Sequence, residues 1–382
     1  MDSFRIIIIG VTHHNTVSMI RSFAGNGCEL GLILCEDKNS YVTKSCYIDW
    51  HVLAPSNDDV IYYLNNYCGD SIKTIVISCS DTITEFLDSN RAQLNPEIIV
   101  FNAGRPGHIS KLMNKQIQIE VATRHGFKIP ESLVIDENRI IPDNFSAFPC
   151  IIKPVKSSVG GKHIVVCNNK NDLHIALKKF PLNIKVQIQQ FIEKKHEIVI
   201  PGVSVSGEVL MPAYVLKHRE NSGATTYSSV KKHTVETLEL VKKIQKLIKD
   251  IGYQGLFGVE FIYDGTDFYF IEVNLRNDAT CYSICSAGIN LPNIYVRLLT
   301  GRFLEMNPNL AEINSMAEFN DFTFVLHGQI SVFKWLHQLR CCKCKFYYDK
   351  NDRALFWSAL KYWINNWTLK KAINECIKNI QS

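Results

Sequence analysis

The sequence predicts an α/β protein in three parts: an open parallel α/β domain, a two-lobed body on antiparallel sheets, and a helical C-terminal tail. Three observations predict it. Residues 1–101 alternate short apolar runs with amphipathic stretches, the pattern of crossovers in a parallel sheet. Residues 148–278 carry paired apolar runs around glycine turns, the pattern of hairpins. The chain then ends in a tryptophan-rich stretch with helical spacing. At 382 residues it is too long for one ordinary core, so two or three lobes are expected.

In the first part, residues 4–9 (Phe-Arg-Ile-Ile-Ile-Ile) read as a buried parallel strand ended by Gly10. Helices are expected over 16–25, 58–67 and 82–90, and strands over 30–35, 74–79 and 97–101. Glu36 ends the second strand, where an acid would hold a ribose. The first turn, however, has one glycine followed by Val11, Thr12, His13 and His14, and lacks the Gly-x-Gly-x-x-Gly cradle. Nicotinamide and flavin are therefore not expected. Ligands still bind at the carboxyl edge of such sheets, which makes His13, His14 and Asp81 substrate-site candidates; an exposed loop is the other reading.

The second part opens with helical periodicity over 110–125, Lys115 on its polar side and Gly126 as cap. An apolar strand over 148–153 ends in Lys153, a glycine tip follows, and a strand over 164–167 closes the hairpin. Gly-x4-Gly-Lys-Ser/Thr spacing is missing, so this is not a P-loop. Backbone N–H groups of Ser158, Gly160 and Gly161 can still fold over a phosphate above Lys153; a plain flexible hairpin is the alternative. A helix is expected over 171–179, and strands over 186–192, 198–205 and 209–216. Lys217, His218 and Arg219 then start a polar loop running to Thr226, before a helix over 233–252.

Residues 258–278 form the most informative stretch. Apolar, aromatic runs flank Asp264-Gly265-Thr266-Asp267, a strong turn signal. A turn centred near Thr266 puts Glu260 opposite Glu272, and strand alternation puts Asn274 and Arg276 on the same face. Two carboxylates and an amide suit Mg²⁺ with retained waters and bound phosphates, and the arginine suits a phosphate or acyl phosphate. A solvated strand whose acids pair with lysines is the competing interpretation.

Composition narrows the class. Hydrophobic content of 46% and charge of 21% are those of a globular enzyme, and a net charge of +5 is too small to argue for nucleic acid. The 13 cysteines are scattered, which reads as reduced thiols in a cytoplasmic protein; Cys341, Cys342 and Cys344 lack the second ligand pair a zinc site needs. No signal peptide or membrane-spanning stretch is expected.

The order of these pieces resembles the ATP-grasp superfamily, in its carboxylate–amine ligase branch of carbamoyl-phosphate-synthase-like and D-aspartate-ligase-like proteins. The resemblance covers residues 1–300, and its most specific pieces are Phe148-Pro-x-x-x-Lys153-Pro154 and Gly258-Val-Glu260 with Ile271-Glu272-Val-Asn274-Leu-Arg276. It implies a pre-ATP-grasp domain over 1–109, an ATP-grasp domain over 110–304 with a lid subdomain near 127–190, and an extension over 305–382. It implies that Lys115 and Lys153 contact ATP phosphates under a lid loop over 157–162. Gln190, Phe191 and Ile192 would meet adenine through their backbone, and Glu197 would hold the ribose. Glu260 and Glu272 would bind one Mg²⁺, and Glu272 with Asn274 a second, with Mn²⁺ an alternative. Arg276 would steady the acyl phosphate. The chain departs from the family pattern at Gln190, where an acid is usual, and at Leu275, where proline is frequent.

The implied reaction is ATP-driven ligation of a small-molecule carboxylate to an amine or thiol. Lys217 and Arg219 are candidate carboxylate anchors. No nucleic acid and no membrane insertion are expected, and a homodimer is compatible with the sequence. The competing functions are a nucleotide-binding module without catalysis and a Rossmann-type oxidoreductase. In the tail, residues 322–333 read as strand plus turn and 356–367 as a helix whose Trp357, Trp363 and Trp367 pack on the main body, a membrane or partner surface being the alternative.

Overall fold

A computed structural model describes residues 4–67, 72–136, 138–142, 145–154, 165–181, 184–221, 223–301 and 309–381, with side chains as far as Trp367. Its first unit is a five-stranded, all-parallel sheet. In chain order come β1 (Phe4–Gly10), α1 (His14–Ser22), β2 (Glu29–Leu34), β3 (Trp50–Leu53), α2 (Asn57–Tyr67), β4 (Lys73–Ser78), α3 (Asp81–Ser89) and β5 (Ile98–Val100). The strand order is β3-β2-β1-β4-β5. Ile6, Ile7, Ile8 and Ile9 are all fully buried, because both faces of β1 are covered. Edge strand β3 is an addition to the elements expected from sequence; its four residues are too few to show a period.

The expected helix over 110–125 is two helices, α4 (His108–Leu112) and α5 (Lys115–Arg124). Asn114 divides them by capping α5, its side chain accepting from the N–H groups of Gln116 and Ile117. A four-stranded antiparallel sheet follows, ordered β6-β9-β7-β8, from β6 (Ser132–Ile135), β7 (Cys150–Pro154), β8 (Val165–Cys167) and β9 (Val186–Gln190), with α6 (Lys170–Leu177) across it.

The largest sheet has eight strands. It begins with β10 (His196–Val205), β11 (Glu208–Leu210), β12 (Tyr214–Asn221) and β13 (Ala224–Lys231), crosses α7 (Val235–Asp250), and continues through β14 (Gly255–Tyr263) and β15 (Phe268–Asn274). After α8 (Thr280–Ser286) and α9 (Leu291–Leu299) it takes in β16 (Asn314–Met316) and, beyond α10 (Glu318–Leu326) and α11 (Val332–Cys341), β17 (Cys342–Lys345); α12 (Arg353–Gln381) ends the chain. Its path is β15-β14-β10-β12-β13-β16-β17, with β11 paired to β10.

Two corrections come from this sheet. Lys217, His218 and Arg219 lie in the β12–β13 hairpin, not in a loop. The strand was hidden because Lys217 and Arg219 are held in ion pairs instead of facing water, so the usual alternation is missing. Residues 322–333, read as strand plus turn, instead run from the end of α10 into α11; the short, mostly apolar run Phe322-Thr-Phe-Val-Leu326 fits a strand and a helix equally.

The extension is tied to the first domain by charge. Arg21, whose side chain is 1% exposed, donates to the carbonyls of Phe346 at 2.6 Å and Tyr347 at 2.8 Å, and lies 3.7 Å from Asp352. Asp352 in turn accepts from Ser45 and from the Cys46 N–H. Of the tail tryptophans, Trp363 packs on Phe319 and Phe322 as expected, but Trp357 is 63% exposed. Cys342 and Cys344 face inward from β17, and Cys341 faces solvent.

Candidate active site at the meeting of three sheets

The β14–β15 hairpin brings Glu260 opposite Glu272, as its sequence predicts, though by a less direct route. Near the turn Phe261 pairs with Phe270, a register that would have set Glu260 opposite Ile271, one residue short of Glu272. A bulge at Ile271 adds one residue and restores the alignment, so that Val259 faces Val273 and Gly258 faces Asn274. Asn274 donates to Glu260 at 3.2 Å. A Cβ at Gly258 would come within 3.2 Å of the Asp278 Cβ, so a larger residue there would press on Asp278.

Lysines approach from one side. Gln118, buried in α5, clamps β15 with two 3.0 Å bonds, one to the Val273 carbonyl and one from its N–H. One turn earlier, this sets Lys115 3.3 Å from Glu272. Lys153, at the end of β7, donates to Gln189 at 2.9 Å. Burial, with the neighbouring Lys115 charge, lowers its pKa to about 8, against the opposing pull of Glu272. Ser158, Gly160 and Gly161, expected over the phosphates, lie outside the described residues. In the hinge, the Gln190 and Phe191 N–H groups are bonded to the carbonyls of Glu131 and Pro149. Among the described residues only the Ile192 N–H of the three lacks a partner.

Lys217, 5% exposed, holds the centre, with Glu197 at 2.6 Å, Glu260 at 2.7 Å and Glu220 at 3.0 Å. Burial pushes Glu260 up to about 7 against the pull of Lys217, and the charges of Glu272 and Asp278 add to the rise. Glu197, despite its own burial, is held below the usual range by Lys217 and Lys194. Arg219 is elsewhere. Its guanidinium makes a bidentate pair with buried Asp321 at 2.9 and 2.7 Å and lies over the Tyr227 ring, so the expectation of a carboxylate anchor there is corrected. A bulge between Lys217 and Arg219 turns the two cations apart.

The other side is formed by the first domain. Arg276 pairs with Asp81 through Nε at 2.6 Å and Nη2 at 2.9 Å. His13 Nδ1 caps α1 by accepting from the Asn15 N–H at 3.1 Å. Burial and nearby Arg276 lower its pKa to about 4, so at neutral pH its proton sits on Nε2. Asn15 and Asn277 lock the two units together. The Asn15 amide donates to the carbonyls of Cys79 and Asn277, and the Asn277 amide donates back to Asn15. Glu36, the possible ribose holder of a dinucleotide site, is instead bonded to the backbone and hydroxyl of Thr12. A cleft of ≈ 170 Å³ runs between these groups, lined by His13, Lys217, Glu260, Glu272, Arg276 and Asp278 among others. Gln118 and Gln189 were not legible as site residues, since each is placed by a partner distant in sequence; Asp278, which accepts from nearby Thr280, lines the cleft.

Among the described residues no three His, Cys, Asp or Glu side chains cluster as a metal cage. Two carboxylates and an amide, as in Glu260, Glu272 and Asn274, are a donor set that Mg²⁺ can share with waters and phosphate oxygens.

Residues 113–280 match the family model of the ATP-grasp domain. The large chain of carbamoyl phosphate synthase from Clostridium acetobutylicum is 28% identical over 172 residues, covering 41% of this chain and 16% of that one. A formate-dependent phosphoribosylglycinamide formyltransferase from Prochlorococcus marinus is 30% identical over 162 residues, covering 40% and 42%. The chain thus spans less than half the length of either relative. Among solved structures, the ADP complex of N5-carboxyaminoimidazole ribonucleotide synthetase superposes with a TM-score of 0.67 at 17% identity, over 86% of this chain and 85% of that one. That likeness extends the fold across the flanking units. Over residues 113–280 this chain is thus similar to the ATP-grasp domain.

Proposed function

We propose that the protein is an ATP-dependent ligase that activates a small-molecule carboxylate as an acyl phosphate and joins it to an amine. One observation carries this reading. The facing acids Glu260 and Glu272, with Asn274, line one cleft together with Arg276, and Lys115 reaches Glu272 at 3.3 Å. The name of one relative agrees with it, a formate-dependent formyltransferase, since formate is a small carboxylate.

The division of labour follows from position. Lys115 and Lys153 hold the phosphates of ATP, and the Ile192 N–H with its neighbours meets adenine. Glu197, beside Lys217, is placed for the ribose. Glu260, Glu272 and Asn274 would hold Mg²⁺, two ions sharing Glu272, which neutralise the triphosphate. The substrate carboxylate attacks the γ-phosphorus, ADP leaves, and Arg276 neutralises the acyl phosphate; the amine then displaces phosphate. Such transfer depends on positioning and charge, so no nucleophilic side chain is required. His13, as a neutral Nε2–H donor, is suited to hold a substrate oxygen and not to remove a proton.

The test is phosphate release from MgATP across a panel of small carboxylates and amines. A ligase gives release only when both partners are present, and none with Glu272→Gln. ATP binding without release across the whole panel would favour a nucleotide-binding module instead.

A further inference from the structure

The C-terminal extension holds a second concavity, with no residue in common with the cleft. It is a groove of ≈ 390 Å³ between α10, α11 and α12, floored by Phe319, Phe322, Trp335, Leu339, Phe356 and Trp363. Its acid, Glu318, is occupied by the N–H groups of Tyr347 and Tyr348. Lys345 stands at its edge, 5.7 Å from the Tyr348 ring.

The surface around this groove is unusual in two independent ways. Large apolar side chains face water: Phe333 is 80% exposed, Trp357 63%, Tyr348 48% and Leu336 45%. The same segment is basic. Between Leu326 and Trp367 stand seven lysines and arginines against two aspartates, a net +5 that equals the charge of the whole chain. None of the seven forms an ion pair among the described residues, and Asp352, one of the two acids, is buried against Arg21. On α12, Trp357 and Lys361 are four residues apart and share a face; on α11, Phe333, Leu336 and Arg340 do the same.

On each of these helices exposed aromatics stand beside unpaired lysines or arginines, a combination matched to a lipid headgroup layer. The rings settle at the boundary of acyl chain and water, while long basic side chains reach the anionic groups. No described helix is long and apolar enough to cross a membrane, so contact would be with the surface only. We propose that this extension docks the protein onto an anionic bilayer surface, with Phe333 and Trp357 in the headgroup region and Lys334, Arg340 and Lys361 over the charged lipids.

The test is flotation of the full chain with phosphatidylcholine vesicles, with or without about 30 mol % phosphatidylserine. Binding is expected on the anionic vesicles, about tenfold or more weaker on neutral ones, and weakened again by high salt. Each basic residue near such a surface contributes about fivefold, so Lys334→Glu with Lys361→Glu should lower binding by about twentyfold or more. Phe333→Ser with Trp357→Ser should also lower it, with an unchanged thermal midpoint because both side chains face solvent. ADP formation should be unaffected by all four changes. Absence of vesicle binding at low salt, equal binding to both compositions, or binding that survives the four changes would overturn the proposal. Binding to polyglutamate but not to vesicles would also overturn it, in favour of an acidic protein partner.

Discussion

In the cleft, charge is matched side chain by side chain. Lys217 touches three glutamates, Arg276 grips Asp81, and Lys115 reaches Glu272. Around the groove of the extension, cations stand without acids and rings face water. A buried, paired charge set is expensive to build and is strongly coupled to its neighbours, whereas exposed cations and rings cost little until something meets them. The comparison predicts that changes in the cleft alter chemistry or stability sharply, and that changes on the groove rim alter neither.

The largest effect belongs to Glu272→Ala. Removing a carboxylate shared by the metal site should cut ADP formation by about 10³-fold or more. The thermal midpoint should hold nearly steady, since Glu272 is partly exposed. Next come two changes that separate the paired charges by role. Lys217→Met leaves buried acids unmatched, and Asp321→Ala strands Arg219, so each should cost about 3–5 kcal/mol in denaturant unfolding. Only the first should also disturb ATP kinetics; equal kinetic damage from Asp321→Ala would break the assignment of Arg219 to the extension.

Lys153→Ala should raise the KM for ATP by about 10- to 100-fold, the loss of one charge-assisted contact. The wild-type KM should rise as pH passes 8, because burial and Lys115 have lowered the Lys153 pKa to about that value and the neutral amine attracts phosphate less. The smallest effect is at the acids. Burial raises Glu260 to about 7, so protons compete with Mg²⁺ below that pH, and the Mg²⁺ requirement should grow about tenfold per unit of acidification. A flat Mg²⁺ requirement between pH 5.5 and 7 would remove Glu260 from the metal set.

How much of this was legible in the sequence depends on distance along the chain. The facing of Glu260 and Glu272 is local, set by one turn, and could be read at once; the Ile271 bulge that makes it true could not, because nothing in the residue types marks it. The parallel sheet announced itself through its isoleucines. The β12–β13 hairpin was hidden by the polar residues that make it useful, since Lys217 and Arg219 find partners 20 or more residues away. Gln118 and Asn15 act across 155 and 262 positions, and such pairs leave no spacing to recognise. The glycine tip over 157–162 is outside the described residues, so its expected role over the phosphates rests on the sequence alone.

The most direct test of the central claim is calorimetric titration of ATP into the protein with and without Mg²⁺, for the wild type and Glu272→Gln. Tight binding of ATP by the wild type is expected only when Mg²⁺ is present, with loss of that Mg²⁺ dependence in Glu272→Gln. Equal Mg²⁺-dependent binding by both proteins would contradict it.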